Sequence, residues 1–317
     1  MKIAVINESF FEESHYEELR KLGELTIAIG SHDEDQAIEL IKDANIVIGD
    51  MFETKFSHRV LEGAKQLKLL VLNTAGSELV DVAYARELGV EVADSRKFGT
   101  QSVVEHTVAL LLALTRHIPE GIDAAREKPF QVDPGNQSHN VWRGIELRGK
   151  TIGIIGFGSI GAAMAEMMKA FGMKILVHSE REHKADGVTF VNLDTLLQQS
   201  DVVSLHVSRN SSTEGLIGSS ELAKMKKTAY LISTVPGEIV DEVALIEALK
   251  NKQIAGLGLD MLGKWTWSVD NELLHLDNVV VTPHSAWFSD VSVRNIADIC
   301  VEDVKAFVSG NPINITN

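Results

Sequence analysis

Short runs of branched apolar residues alternate along this chain with segments whose apolar positions recur every three or four residues. The runs at 2–6, 25–29, 46–48, 69–72 and 90–93 predict strands. The stretches 15–22 and 37–42 between them predict amphipathic helices. A second series of strands follows at 152–155, 175–178, 202–206, 229–233, 254–259 and 279–282. Strands that alternate with helices build parallel sheets covered on both faces. The pattern therefore predicts an α/β protein with two doubly wound parallel-sheet domains.

Between the two series, residues 102–117 are apolar on most helical faces over roughly five turns. A helix of that kind is buried, either between domains or against another subunit. Residues 119–142 are rich in Gly, Pro, Asn and charge and predict a long loop. The tail, 290–308, reads as a helix again.

The second series opens on Thr151-Ile-Gly-Ile-Ile-Gly156-Phe-Gly158-Ser159-Ile160-Gly161. An apolar strand runs straight into G-x-G-x-x-G and then into a helical pattern. Gly156 permits a tight turn, Gly158 lets the backbone approach a pyrophosphate, and Gly161 lets helix and strand pack closely. The helix N-terminus then offers amide donors to the anion.

With 317 residues, 44% apolar and 24% charged, the chain is long enough for two domains with real cores. Its formal charge of −15 and the lack of a basic stripe argue against nucleic acid as a partner. Any anionic ligand must be held locally. The longest apolar run, near 108–114, is too short to span a bilayer, and the opening residues read as a strand rather than a signal segment. The single cysteine, Cys300, excludes an intrachain disulfide and lies in a helical core pattern. No metal-ligating cluster stands out. These features point to the cytoplasm.

The chain resembles the D-isomer-specific 2-hydroxyacid dehydrogenases. Val104-Glu-His-Thr-Val-Ala-Leu-Leu-Leu-Ala-Leu resembles that family's interdomain helix. Glu146-Leu-Arg-Gly-Lys-Thr-Ile-Gly-Ile-Ile-Gly resembles the start of its cofactor domain, and Asp201-Val-Val-Ser-Leu-His206, Gly215-Leu-Ile-Gly, Ile254-Ala-Gly-Leu-Gly-Leu-Asp260 and Thr282-Pro-His284 follow in the family's order. The resemblance is strong over the last two-thirds and weak over the first hundred residues. It implies a flavodoxin-like substrate domain made of residues 1–100 and 288–317, a Rossmann cofactor domain at 101–287, and a cleft between them.

The family's reaction is hydride transfer between a nicotinamide and C2 of a 2-keto or 2-hydroxy acid. That chemistry requires a proton donor, a cation for the carboxylate, and an acid that orients the donor. The resemblance gives the first role to His284; His106, within the helical stretch, and His206, at a strand end, are expected to serve structure. The family's arginine is replaced by Pro236, within Ser233-Thr-Val235-Pro236-Gly237. Proline carries neither charge nor N–H, and loss of a buried charge partner costs about 2–5 kcal/mol. The family's glutamate position holds Trp265, so the imidazolium of His284 loses a partner and its pKa should fall. Glu272 is a nearby carboxylate without supporting spacing. Lys264 is the candidate replacement cation, and Trp265, Trp287 and Phe288 suggest an apolar or aromatic pocket. By resemblance, Asp260 contacts the nicotinamide carboxamide, Val207 and Val235 line the cofactor, and Met51, Phe52, Ala75 and Gly76 touch the substrate.

At the end of the second cofactor-domain strand stand Ser179, Glu180 and Arg181, where NAD-binding members carry an acid. Ser179 with Arg181 favours NADP over NAD, whereas Glu180 turned inward would favour NAD. The sequence thus predicts an NAD(P)-dependent oxidoreductase acting on a small-molecule substrate, homodimeric through residues 102–142. The alternative is a catalytically silent dinucleotide sensor or partner-binding module. No nucleophile elbow or P-loop supports acyl or phosphoryl chemistry.

Overall fold

The computed structural model describes residues 1–6, 10–77, 79–127, 143–180, 184–263 and 268–316. The chain separates into two compact units, Met1–Gly99 with Phe288–Asn317, and Thr100–Trp287.

The first unit carries strands β1 (Lys2–Ile6), β2 (Glu24–Ala28), β3 (Ile46–Gly49), β4 (Leu69–Leu72) and β5 (Glu91–Asp94). They form one parallel sheet in the order β2-β1-β3-β4-β5, the flavodoxin-like winding. Strands β3 and β4 are buried along their whole length, as expected where helices cover both faces. On one face, Ile6, Val47, Leu70 and Val92 pack against Ala37 and Ile41 of α2 (Glu34–Ile41) and Val60 and Leu61 of α3 (His58–Gly63). The C-terminal helix Asp290–Val308 belongs to this unit and buries Ile296, Ala297, Cys300 and Val304. Cys300 is core, with its sulfur 3.3 Å from Ser95 Oγ. The tail returns to the edge of β5, where Thr316 N–H donates to the Val92 carbonyl at 2.8 Å.

The second unit begins with two helices, α5 (Thr100–Thr115) and α6 (Ile118–Glu127), numbered after α1 (Glu13–Leu22) and α4 (Val82–Glu87) of the first unit. Its seven strands are β6 (Thr151–Ile155), β7 (Lys174–His178), β8 (Val188–Phe190), β9 (Val202–Leu205), β10 (Tyr230–Ser233), β11 (Gly256–Leu259) and β12 (Val279–Val281). All pair in parallel, in the order β12-β11-β10-β9-β6-β7-β8. Helix α5 lays Val104, Leu110, Leu111 and Leu114 on one face of this sheet beside Ile152, Ile154 and Ile232. Its buried stripe is thus satisfied within its own unit. The opposite face is filled by Leu196 and Leu197 of α8 (Leu193–Gln199), Leu222 of α9 (Ser219–Lys224) and Leu245 and Leu249 of α10 (Glu242–Lys250).

Two elements differ from the sequence expectation. Residues 118–127, expected as the start of a loop, are helical. Pro119 lies in the first turn, where its missing N–H costs no helical hydrogen bond. Strand β8 has three residues, too few for an apolar run to announce it. The remainder of the expected loop, 128–142, lies outside the described residues.

Candidate active site

Because every strand of the seven-stranded sheet runs the same way, its carboxyl ends share one edge. Gly156 directly follows β6, Ser179 follows β7, Val207 lies beyond β9, Val235 and Pro236 beyond β10, Asp260 directly follows β11, and His284 lies beyond β12. The sheet order reverses between β6 and β9, and open α/β sheets bind ligands at such a switch point.

The glycine turn sits there. Gly156 has φ +94°, and a Cβ on it would lie 2.4 Å from the His206 carbonyl oxygen. At Gly161, in the first turn of α7 (Ser159–Ala170), a Cβ would lie 2.2 Å from the Gly156 oxygen. Both positions exclude a side chain for internal reasons. Gly158 differs: its backbone is extended (φ −82°, ψ −161°), and a Cβ there would have no described atom within 4 Å. Nothing among the described residues requires glycine at 158, so the open space beside it fits a backbone-hugging ligand. Helices α8 and α10 are capped by the side chains of Asn192 and Asp241, whereas the N-cap of α7 is Gly158, with no side chain. The first-turn amides, including those of Ser159 and Ile160, therefore suit an anion such as a diphosphate. This geometry fits a dinucleotide.

Beyond β7, Ser179 is half-buried, and exposed Glu180 accepts a hydrogen bond from Ser212 Oγ at 3.3 Å. Arg181 lies outside the described residues.

At the other end of the sheet, Asp260 is fully buried. Its Oδ1 accepts from Thr282 Oγ1 at 2.5 Å and from the Ser285 amide at 3.0 Å, and its Oδ2 accepts from the Ala286 amide at 2.9 Å. Its main-chain oxygen accepts from the His284 amide at 2.8 Å. These bonds close a turn in which His284 takes φ +52°. A non-glycine residue held in that region costs about 1–3 kcal/mol, which the surrounding bonds must offset. Burial pulls the His284 pKa below the ordinary histidine value, and the Asp260 carboxylate opposes the fall. The imidazolium is thereby a stronger acid, formed at lower pH.

His206 directly follows β9, its ring buried. Its Nε2 lies 2.8 Å from Ser204 Oγ, its Nδ1 is buried with no partner among the described residues, and burial depresses its pKa to about 4. His106 is bound to the Asp260 turn, with Nε2 2.8 Å from Thr282 Oγ1. That bond and the part played by Thr282 were not legible in the sequence, although the Thr-Pro-His triplet contained the residue.

Pro236 opens a 3-10 turn, Gly237–Ile239, whose Gly237 presses against the Leu262–Gly263 backbone: a Cβ there would lie 2.3 Å from Gly263 N. The turn after β10 thus meets the start of the segment that carries Lys264 and Trp265. Both of those residues lie outside the described ones. One guanidinium by this turn, Arg209, is paired with Glu238 at 3.0 Å. Glu272 is spent on a surface pair with Lys250. Trp287 is half-buried, while Phe288 is exposed and packs on Phe10 in the first unit. In that unit, buried Met51 and exposed Phe52 follow β3, and Ala75 and Gly76 follow β4, so the four gather at the carboxyl ends of two paired strands.

A glycine-cornered turn at a sheet's switch point, with a histidine beyond a strand of the same edge, fits a nicotinamide-dinucleotide-linked oxidoreductase. The family model described as "D-isomer specific 2-hydroxyacid dehydrogenase, NAD binding domain" matches residues 108–286. The chain belongs to the D-isomer specific 2-hydroxyacid dehydrogenase family, and its cofactor is NAD(P). It is 36% identical over 300 residues to a D-3-phosphoglycerate dehydrogenase of Archaeoglobus fulgidus, covering 93% of this chain and 55% of that protein, about half its length. It is 33% identical to a hydroxypyruvate reductase of Blautia hydrogenotrophica, covering 90% and 88% of the two chains. Among solved structures, an acyclic imino acid reductase in complex with NADPH and D-Arg superposes with a TM-score of 0.90 at 30% identity over the full length of both chains. Among the described residues no helix is long and apolar enough to cross a membrane.

Proposed function

We propose that the chain reduces the C2 carbonyl of a 2-keto acid with a reduced nicotinamide dinucleotide, and that His284 supplies the proton. The observation that carries this reading is the turn that Asp260 closes beyond β12: it fixes His284 on the same sheet edge as the glycine turn. The bound cofactor supplies the hydride. Gly156, Gly158, Ser159, Ile160 and Gly161 would hold its diphosphate, and Val207 and Val235 would line its path. Asp260 already uses both carboxylate oxygens on its own turn; a carboxylate has about four lone-pair sites, so a carboxamide donor could still be accommodated. His284 Nε2–H would donate to the substrate oxygen as it becomes an alkoxide, then recover its proton from solvent. Met51, Phe52, Ala75, Gly76, Pro236, Lys264, Trp265 and Trp287 are the proposed substrate contacts, with Lys264 standing in for the family's carboxylate clamp.

A screen of small and aromatic 2-keto acids against NADH and NADPH tests the reading. Turnover that His284→Asn abolishes supports it. Cofactor binding without turnover of any acid would favour the silent module instead. NADPH is the proposed preference, because Ser179 replaces an acid that would repel a 2′-phosphate; NADH binding tenfold tighter than NADPH would reject it. A 2-imino acid is a second substrate class, favoured by the neighbour that holds NADPH and D-Arg. NADPH oxidation that requires ammonium as well as the keto acid, with an amino acid as product, would select it. A homodimer through residues 102–142 is proposed from half-buried Val108 and Leu112 and exposed Ile118 and Ile122; a monomer by light scattering would reject it. A cytoplasmic location is proposed from the single cysteine, Cys300, which excludes an intrachain disulfide.

A further inference from the structure

His106 stands on α5, far in sequence from the Asp260 turn, yet its imidazole is built into that turn. Its Nε2 lies 2.8 Å from Thr282 Oγ1 and 3.5 Å from Asp260 Oδ1. The proton positions follow from counting donors. The Thr282 hydroxyl has one hydrogen and gives it to the Asp260 carboxylate, which as an anion can only accept. The contact with His106 is therefore Nε2–H donating to Thr282 Oγ1, which fixes the histidine in the Nε2–H tautomer or as the imidazolium. The result is a chain: His106 Nε2–H donates to Thr282, Thr282 O–H donates to Asp260, and Asp260 also accepts from the amides of Ser285 and Ala286 that directly follow the strained backbone of His284.

We infer that His106 and Thr282 are positioning residues for the reduction: they hold the Asp260 carboxylate in the orientation that keeps His284 aimed and partly dehydrated. The inference rests on the proposed role of His284 and adds two residues to it. The titratable groups the chain brings together are His106 from α5, Asp260 from the end of β11 and His284 from the turn after β12. Thr282→Val removes the hydroxyl while keeping the shape. Asp260 Oδ1 then loses a donor, the turn loosens, and water reaches the imidazole. Both changes favour the imidazolium, because a less solvated-out ring and a less compensated carboxylate each stabilise its charge.

The experiment compares Thr282→Val, Thr282→Ser, His106→Phe and His106→Gln with the unaltered chain, using NADPH and a 2-keto acid that is turned over. Thr282→Val and His106→Phe should lower kcat about 10–100-fold with little change in KM for NADPH, since the perturbation misplaces the donor rather than the dinucleotide. The pH at which kcat/KM falls should move upward in both. Thr282→Ser and His106→Gln, which restore a donor, should recover rate and profile. Proton NMR of His284 in the NADPH complex reads the same shift without turnover and serves where a variant is too slow to assay. A His284→Asn variant with unchanged turnover would defeat the underlying reading itself. Loss of turnover in His284→Asn together with unchanged kcat and pH profile in Thr282→Val and His106→Phe would defeat only this inference. Loss of rate that serine and glutamine fail to restore would also count against it.

Discussion

Gly158→Ala separates what the fold needs from what the ligand needs. A Cβ at 158 would meet no described atom within 4 Å, and the backbone there is extended, so alanine adopts it without strain. Replacing glycine where the conformation is compatible stabilises a protein by about 0.4–1 kcal/mol through the unfolded chain. Thermal unfolding of the variant should therefore be unchanged or slightly raised. Cofactor binding should weaken, because the methyl occupies the space into which a diphosphate must come. Forcing an extra methyl into a packed contact costs about 1–3 kcal/mol, a loss of about 5–150-fold in affinity. Gly161→Ala is the control: its Cβ would lie 2.2 Å from the Gly156 oxygen, so it should lower stability and affinity together. Differential scanning calorimetry and fluorescence titration with NADPH measure the two effects. NADPH binding to Gly158→Ala at the unaltered affinity would refute the reasoning, and so would a large fall in its stability.

Three further outcomes follow from the structure. His206 is held neutral by burial, with its pKa depressed to about 4 against about 6.5 when unfolded. Between those values the unfolded chain binds more protons, so stability rises with pH across that window and is lost as pH falls through it, by up to about 3 kcal/mol. Urea unfolding of His206→Asn from pH 4 to 7 should show a shallower slope than the unaltered chain. Asp303 behaves in the opposite sense: burial and the nearby Asp94 raise its pKa to about 7, so its contribution is full below pH 4 and declines as pH rises toward 7. Asp303→Asn should flatten that decline, read by calorimetry of the whole chain across pH 4–7. The rate of 2-keto acid reduction should fall with a midpoint below the ordinary histidine pKa, since burial lowers that of His284, and stopped-flow NADPH oxidation from pH 4.5 to 8 measures it.

The fold was legible because its strands are continuous apolar runs broken by helical periods. Every strand of the first unit lies within one residue of the expected run, as at β2, expected at 25–29 and observed at Glu24–Ala28. The glycine turn was legible for the same local reason: a φ of +94° and a 2.2 Å approach are demands that only glycine meets, so they leave a mark in sequence. Helix α6 was missed because Pro119 and Gly121 read as loop residues, whereas proline is tolerated in a first helical turn. The links among His106, Thr282 and Asp260 span 176 and 22 residues, and no local period encodes them. Pro236 and Trp265 were legible only as departures from a family pattern. What replaces the lost charges depends on side chains that converge from separate loops.

The most direct test of the account is a crystal structure of the chain with NADPH and a non-reducible analogue of a 2-keto acid. The diphosphate should lie on the amides of residues 158–160, and an analogue oxygen should lie within hydrogen-bond reach, about 2.6–3.2 Å, of the His284 imidazole. A nicotinamide ring bound away from His284, or a glycine turn left empty at saturating NADPH, would contradict it.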